Sequence, residues 1–389
     1  MVMKVFLCKL ERTVILYNLL LFIGPIGINK KNKIKLNLCY RGPGAGGVRN
    51  WVYDNMLNFF EDGLRLSKGM THKNALAGIW WGGAKGVMAR NSGKGLQTFD
   101  SKEERKTVYA EYGDLMTSLK GCYHTAEDVG TNTEDMRNVF SRTRFTTCIP
   151  ADVGGSGNPS VPTALGVSIG IEAAFNYLNR KLVDATIAVQ GTGHVGKPLI
   201  KFLFSKGVKK IIATDIDEHR KEDILKEFKD FNFELRIVKK DDNSILFEDV
   251  DCVAPCATGG TLNSETIPKI KAKIVCGAAN NQLLNFSTDD VLLKKRNILY
   301  VPGNGTLRND PNIEKHLGRT WENSIYLLCL KVFKESENND KETTNTISLK
   351  IADKKSFEVN PIYGHRGKVI IDALRKESTS VLEGTSAKL

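Results

Sequence analysis

The stretch from Ala185 to Asp215 constrains this chain most, because it spells out a strand, a glycine turn, a helix and a second strand in succession. Residues 185–190 (ATIAVQ) are a short apolar run suited to a strand buried on both faces. The run ends on Gly191-Thr192-Gly193-His194-Val195-Gly196, and a helical segment follows to Ser205. Residues 210–214 (KIIAT) form the next strand, which finishes on Asp215. A GxGxxG is weak evidence alone. Here it sits between strand and helix, with an acid nineteen residues past its last glycine. That is where a dinucleotide-binding βαβ unit hydrogen-bonds the adenosine ribose. A carboxylate there also repels a 2′-phosphate, so NAD is favoured over NADP. Strand-like runs at 235–238, 252–254, 273–276 and 298–301 extend the unit to a doubly wound sheet of the α/β class.

The first part of the chain reads differently. Apolar spacing predicts an amphipathic helix over 51–68, strands at 71–79 and 86–89, and helices over 101–119 and 131–140. Ser101, with Glu104 three residues on, predicts a capping box at the start of the second of these helices. Pro159 and Pro162 punctuate a crossing into the second part, and residues 163–178 read as a connecting helix.

Chemistry concentrates in MTHKNALAGIWWGGAKGVM, residues 70–88, and in TAEDVGTNTEDM, residues 125–136. The first supplies Lys73 and Lys85, the second lysine just after Gly82-Gly83; the second supplies Asp128. One lysine can hold an α-carboxylate. Another, with its pKa lowered by neighbouring cations and desolvation, can polarise a C=N or C=O carbon and activate water, while an aspartate moves protons on and off nitrogen. Lys73 is read here within an apolar strand. The glycines let backbone approach a ligand that a β-carbon would obstruct.

Nine ordered motifs carry a resemblance: GPGAGGVRNW, RLSKGMTHKNALAG, GGAKG, TAEDVGT, GNPSVPTALGV, VQGTGHVG, TDID, APCATGG and GAANNQL. They resemble the glutamate/leucine/phenylalanine/valine dehydrogenase family, and most of all its leucine dehydrogenase-like branch. The resemblance implies two domains with a cleft between them: a substrate and catalytic α/β domain, residues 41–150 plus 319–380, and a Rossmann domain, residues 151–318. It further implies NAD-dependent oxidative deamination by a homo-oligomer.

By the same resemblance Lys73 binds the substrate α-carboxylate, Lys85 is the catalytic lysine and Asp128 carries protons for the amino group. Gly46, Gly47 and Asn280 lie by the substrate. Gly191, Thr192, Gly193, His194, Val195, Gly196, Asp215, Ala254, Cys256 and, near the nicotinamide carboxamide, Thr163 hold the cofactor. Glutamate-specific relatives place a lysine immediately before the Gly46-Gly47 pair, where this chain has Ala45. Leaving a γ-carboxylate without its cation costs a few kcal/mol, so an apolar or branched amino acid is the expected substrate and glutamate the alternative.

Composition narrows the remaining classes. The net charge of +12 is concentrated in residues 1–50, which hold nine Lys/Arg and one acid, Glu11, leaving a surplus of only +4 in the remaining 339 residues. No basic helix face with interleaved aromatics tracks a phosphate backbone, so nucleic acid is excluded as a partner. Cys8, Cys39, Cys122, Cys148, Cys252, Cys256, Cys276 and Cys329 show no CxxC pair. They are expected to be reduced thiols, and no metal site is expected.

Two segments depart from the family pattern. Residues 1–40 are an atypical segment whose apolar run, 13–28, is short for a membrane span; the first strands of the substrate domain are expected to be missing there. After Val301-Pro302 the chain passes directly into Gly303-Asn304-Gly305-Thr306, without the turn and helix that cover the nicotinamide in relatives. That loss motivates an alternative, a folded NAD-binding relative that no longer turns over and acts as a scaffold or sensor. The polar, flexible tail 381–389 ends Ala387-Lys388-Leu389, similar to the Ser-Lys-Leu peroxisomal address. The cytoplasm is the first expectation for location and the peroxisome the second.

Overall fold

The computed structural model describes residues 2–9, 17–26, 41–90, 101–303 and 313–361, the first two stretches as backbone alone. The chain divides into two compact units, one of Met1–Asn158 with Ala352–Leu389 and one of Pro159–Ile351.

In the first unit the strands are β1 (Val2–Lys9), β2 (Tyr17–Ile26), β3 (Gly44–Ala45), β4 (Val48–Trp51), β5 (Gly82–Arg90) and β6 (Tyr123–His124). They form one sheet in the order β1-β2-β5-β3-β6, with β4 also pairing β5. The apolar run near the N-terminus therefore becomes an antiparallel partner of β5, with Tyr17 opposite Arg90 and Ile23 opposite Ala84. This corrects the expectation that the first strands are missing. A run too short to cross a bilayer has the length of a sheet strand. Among the described residues no helix is long and apolar enough to cross a membrane.

The helices of this unit are α1 (Met56–Leu76), α2 (Lys102–Ser118) and α3 (Thr133–Phe140). Asn55, Ser101 and Asn132 cap them, each accepting a hydrogen bond from the backbone three residues on, and Asp135 completes a capping box with Asn132. A second correction concerns residues 71–79, predicted as a strand. They continue α1 to Leu76 and then turn through Gly78 at φ +70°. The buried positions Phe59, Gly63, Leu66, Ser67, Thr71 and Ala75 recur at helical spacing. Lys73 thus stands in the last turn of a helix. Tyr109, Tyr112 and Met116 of α2 and Met136 and Val139 of α3 pack on Val48, Ala84, Met88 and Tyr123 of the sheet.

The second unit is a parallel sheet of β7 (Thr186–Gln190), β8 (Lys210–Asp215), β9 (Phe233–Ile237), β10 (Cys252–Pro255), β11 (Ile274–Val275) and β12 (Leu299–Tyr300). Its order is β12-β11-β10-β7-β8-β9. This is the doubly wound arrangement in which chain direction reverses at the first strand, here β7. Alternate residues serve opposite faces, as the two-residue strand period requires. Ile187, Val189, Ile211 and Ala213 pack with α4 (Ser160–Tyr177) and α5 (Gly196–Ser205). Ala188, Ile212, Val253 and Val275 pack with Ile245, Leu262, Ile267 and Leu293 on the other side.

Three short helices, α6 (Lys221–Glu227), α7 (Asp289–Lys295) and α8 (Ile313–Leu317), precede α9 (Ile325–Glu337) and α10 (Thr344–Ser356). Val332 and Phe333 of α9 and Ile347 of α10 join the core that α4 lines. Lys294 donates to the carbonyls of Ser336, Asn339 and Glu342 at 2.7–2.8 Å, which satisfies acceptors at and beyond the end of α9. Residues 319–351 therefore pack with the second unit, whereas the sequence groups 319–380 with the first.

The segment after Gly303 and the C-terminal address at 387–389 lie outside the described residues. Cys122, Cys252, Cys256, Cys276 and Cys329 are thiols outside any disulfide. Among the described residues no grouping of His, Cys, Asp and Glu is arranged to hold a metal ion.

Candidate active site

In the first unit, glycines build a candidate site by bringing backbones together. A β-carbon at Gly46 would stand 1.9 Å from the Ala84 carbonyl oxygen, and one at Gly83 would stand 2.1 Å from the Thr71 amide nitrogen. At Gly47 it would lie 2.8 Å from Asp128 Cβ, and at Gly86 2.7 Å from the Tyr112 hydroxyl. These glycines draw β3, β5, the end of α1 and the Asp128 turn into contact. The space a side chain would fill is taken by protein rather than left for a ligand. Asn74, next to Lys73, completes the junction by donating to the Gly82 carbonyl at 2.6 Å.

Lys85 projects from β5 and is 3% exposed; its Nζ lies 2.9 Å from Asp128 Oδ1, and Asp128 is itself 8% exposed. Asp128 follows β6 in a tight turn. Its backbone N–H donates to Thr131 Oγ1 at 2.7 Å, the Thr131 N–H returns to the Asp128 carbonyl at 3.0 Å, and Gly130 takes φ +81°. The structure therefore brings Lys85 and Asp128 into one buried ion pair. A buried lysine and carboxylate in contact can exchange a proton with each other or with a bound nitrogen, because neither is fully hydrated.

Sequence reasoning did not single out the groups behind this pair. Arg49 of β4 donates from Nε to Asp128 Oδ2 at 3.0 Å and from Nη1 to Asp62 Oδ2 at 2.9 Å. Tyr53 donates to the same Asp62 oxygen at 2.5 Å. Burial alone would lower the Arg49 pKa, but the Asp128 and Asp62 carboxylates outweigh it and raise the value. Burial, then the bond to Asp62, push the Tyr53 phenol up and keep it protonated. Arg49 and Asp62 are thirteen residues apart, and Arg49 and Asp128 seventy-nine, so only folding brings them together.

The second unit carries its own candidate site at the turn from β7 into α5, where the sheet order reverses. Gly191 adopts φ +87°. A β-carbon at Gly196 would stand 1.9 Å from the Gly191 carbonyl oxygen, so the third glycine is needed for the helix to pack on the strand. Gly193 is different, because a β-carbon there would meet nothing within 4 Å. A turn that is tight at its first and third glycines and open at its second fits a pyrophosphate approaching the start of α5.

Asp215 ends β8 and reaches back to this turn. Its Oδ2 accepts from the Thr192 N–H at 3.0 Å and from the Thr192 hydroxyl, and its Oδ1 accepts from the Ile216 and Asp217 amides at 2.8 and 3.1 Å. Burial raises the Asp215 pKa, but the Thr192, Asp217 and Arg220 contacts lower it further, so the net direction is down. Arg220, which sequence reasoning missed, donates to the Thr192 carbonyl at 2.7 Å and lies 3.5 Å from Asp215 Oδ2.

The other expected cofactor residues lie in and just after β10, in the turn into α5 and at the start of α4. Ala254 is buried in β10, and Cys256 follows it, with its amide on the Gln190 carbonyl at 2.8 Å and its thiol pushed up to about 12 by burial. His194 is exposed and Val195 half-buried. Thr163 lies in the first turn of α4, where its hydroxyl donates to the Pro159 carbonyl at 2.8 Å. Asn280 is exposed in the turn after β11, and its carbonyl oxygen would stand 2.4 Å from a β-carbon at Gly259.

Residues 37–145 match the family described as Glu/Leu/Phe/Val dehydrogenase, dimerisation domain, and residues 154–306 match Glutamate/Leucine/Phenylalanine/Valine dehydrogenase. The chain is 41% identical over 263 residues to leucine dehydrogenase of Bacillus subtilis, covering 67% of this chain and 68% of that one. It is 36% identical over 307 residues to phenylalanine dehydrogenase of Lysinibacillus sphaericus, covering 76% and 77%. The solved structure of L-tryptophan dehydrogenase from Nostoc punctiforme superposes with a TM-score of 0.66 at 29% identity, covering 91% of this chain and 95% of that one. Two matched segments, one holding the lysine–aspartate pair and the other the glycine turn, together with these identities, make the chain a leucine dehydrogenase-like member of the Glu/Leu/Phe/Val dehydrogenase family.

Proposed function

We propose that the protein is an NAD-dependent amino-acid dehydrogenase that oxidatively deaminates an apolar or branched-chain L-amino acid to its 2-oxo acid and ammonia. The observation that carries this reading is the buried Lys85–Asp128 pair, an amine and a carboxylate 2.9 Å apart and both largely withdrawn from solvent. Lys73 anchors the substrate α-carboxylate, and the Gly46-Gly47 segment and Asn280 complete the substrate contacts. When bound, the nicotinamide supplies a two-electron acceptor for the hydride on the substrate Cα. Lys85, in its neutral form, then accepts a proton from the water that attacks the resulting C=N carbon, and the ammonium so formed stabilises the added oxygen. Asp128 takes protons from the amino group and returns them to the departing ammonia.

Ala45, buried at the end of β3, offers no cation to a substrate side chain, which supports an apolar substrate over glutamate. The relatives named for leucine and phenylalanine point the same way. A homo-oligomer is part of the proposal, because one matched segment is described as a dimerisation domain.

The Gly191–Gly196 turn, with Ala254, Cys256 and Thr163 beside it, is proposed to hold the dinucleotide, and Asp215 to favour NAD over NADP. Replacing Asp215 with Ser should weaken NAD binding about tenfold, since a charged hydrogen-bonding group contributes roughly 1.5–3 kcal/mol. The same change should bring the NADP affinity closer to that of NAD, because the repelling carboxylate is gone. Calorimetric titration of both nucleotides checks this, and an unchanged NAD/NADP ratio would count against the role given to Asp215.

A further inference from the structure

The Asp128 carboxylate is shared. Lys85 of β5 takes Oδ1 and Arg49 of β4 takes Oδ2, at 2.9 and 3.0 Å. Arg49 is not free to follow Asp128, because the other arm of its guanidinium is held by Asp62 of α1, itself held by Tyr53. Arg49 and Asp62 are 13% and 21% exposed, so solvent screens these contacts weakly. A planar fork with fixed donors suits two carboxylates at once, which an ammonium on a flexible stem does not.

We propose that Arg49 is a positioning residue that fixes Asp128 between two cations, leaving Lys85 a single carboxylate oxygen and a neighbouring positive charge. This deepens the proposed reaction, whose proton carrier is Asp128. The consequence is electrostatic as well as geometric. A second cation beside Asp128 favours its ionised form, and the same cation disfavours the charged form of Lys85. Other titratable groups facing Asp128 are the adjacent Glu127, the Tyr123 phenol of β6, and Tyr53 with Asp62 behind Arg49. Burial pushes Tyr123 up to about 12, so it stays neutral through the working range. Asp62 and Glu127 are acidic and cannot replace the charge of Arg49.

Removing Arg49 should therefore raise the proton affinity of Asp128 and of Lys85 together. In Arg49→Gln, the low-pH limb of the kcat/KM profile for the amino acid should move to higher pH by about 1 unit. Arg49→Lys, which keeps the charge but reaches one carboxylate at a time, should move it part of the way. The second measurement needs no turnover. Trace labelling of the folded protein with acetic anhydride across pH, read by mass spectrometry on the Lys85 peptide, should show the Lys85 midpoint moving upward in both variants. A wild-type protein without activity would count against the proposed reaction, and the labelling would still decide the role of Arg49. Unmoved Lys85 midpoints in Arg49→Gln and Arg49→Lys would overturn the proposal, as would a uniformly lowered rate with an unmoved limb. Should Arg49→Gln fail to fold, the same two readouts on Arg49→Lys decide it.

Discussion

Replacement of Lys85 by alanine is expected to lower turnover by about 1,000-fold or more, the scale set by loss of a positioned acid–base group, while NAD affinity stays within about twofold of the wild type. Lys85 sits on β5 against Asp128, whereas the nucleotide turn, Gly191 to Gly196, belongs to the second unit. The two losses should therefore separate. Removing the lysine leaves Asp128 ionised against Arg49, so the variant should fold, and circular dichroism with calorimetric NAD binding confirms that it has. A variant that turns over at a comparable rate would remove Lys85 from the reaction and with it the role given to the buried pair.

A large stability effect is expected at Gly83. An alanine β-carbon there would stand 2.1 Å from the Thr71 amide nitrogen and 2.5 Å from its Cα, inside α1 backbone that cannot rotate aside. Overpacking costs typically 1–3 kcal/mol and more where backbone must move, so Gly83→Ala should destabilise by about 3 kcal/mol or more. Gly69→Ala is the matched comparison on the same helix. No atom lies within 4 Å of its added methyl, and alanine in place of a helical glycine stabilises by about 0.5–1 kcal/mol. Thermal melting of the two variants should move in opposite directions. A neutral Gly83→Ala would mean that α1 does not pack on β5 as described.

Much of the second unit was legible in the sequence because its strands are buried on both faces. Apolar runs such as ATIAV and KIIAT end on glycine or aspartate, and the resulting elements, β7 and β8, lie within a residue or so of the expected ones. The first unit was less legible where burial falls on polar or small side chains. The inner face of α1 includes Gly63, Ser67, Thr71, His72 and Asn74, which a count of apolar residues does not register, and so the Lys73 segment read as a strand. Hydrophobic runs report on transfer from water, whereas this face is buried by close backbone approach at Gly83 and by the Asn74 hydrogen bonds.

The reactive residues were legible as residue types in ordered motifs, but their surroundings were not. Nothing in the spacing of Arg49, Asp62 and Asp128 along the chain states that one guanidinium holds both carboxylates. The same is true of Arg220, which lies five residues past Asp215 and folds back onto the Thr192 carbonyl. Such contacts depend on where strands and turns end in space. They become visible only with the sheet order.

The most direct test of the account is the rate of NAD reduction at alkaline pH with leucine, valine and isoleucine, measured beside glutamate on the full chain. The account predicts NADH formation with one or more of the branched substrates at a rate well above that with glutamate, with the 2-oxo acid and ammonia released in equal amounts. Faster turnover of glutamate would contradict the substrate reading carried by Ala45. NAD binding with no turnover of any of the four would contradict the reaction itself and leave the folded, nucleotide-binding scaffold in its place.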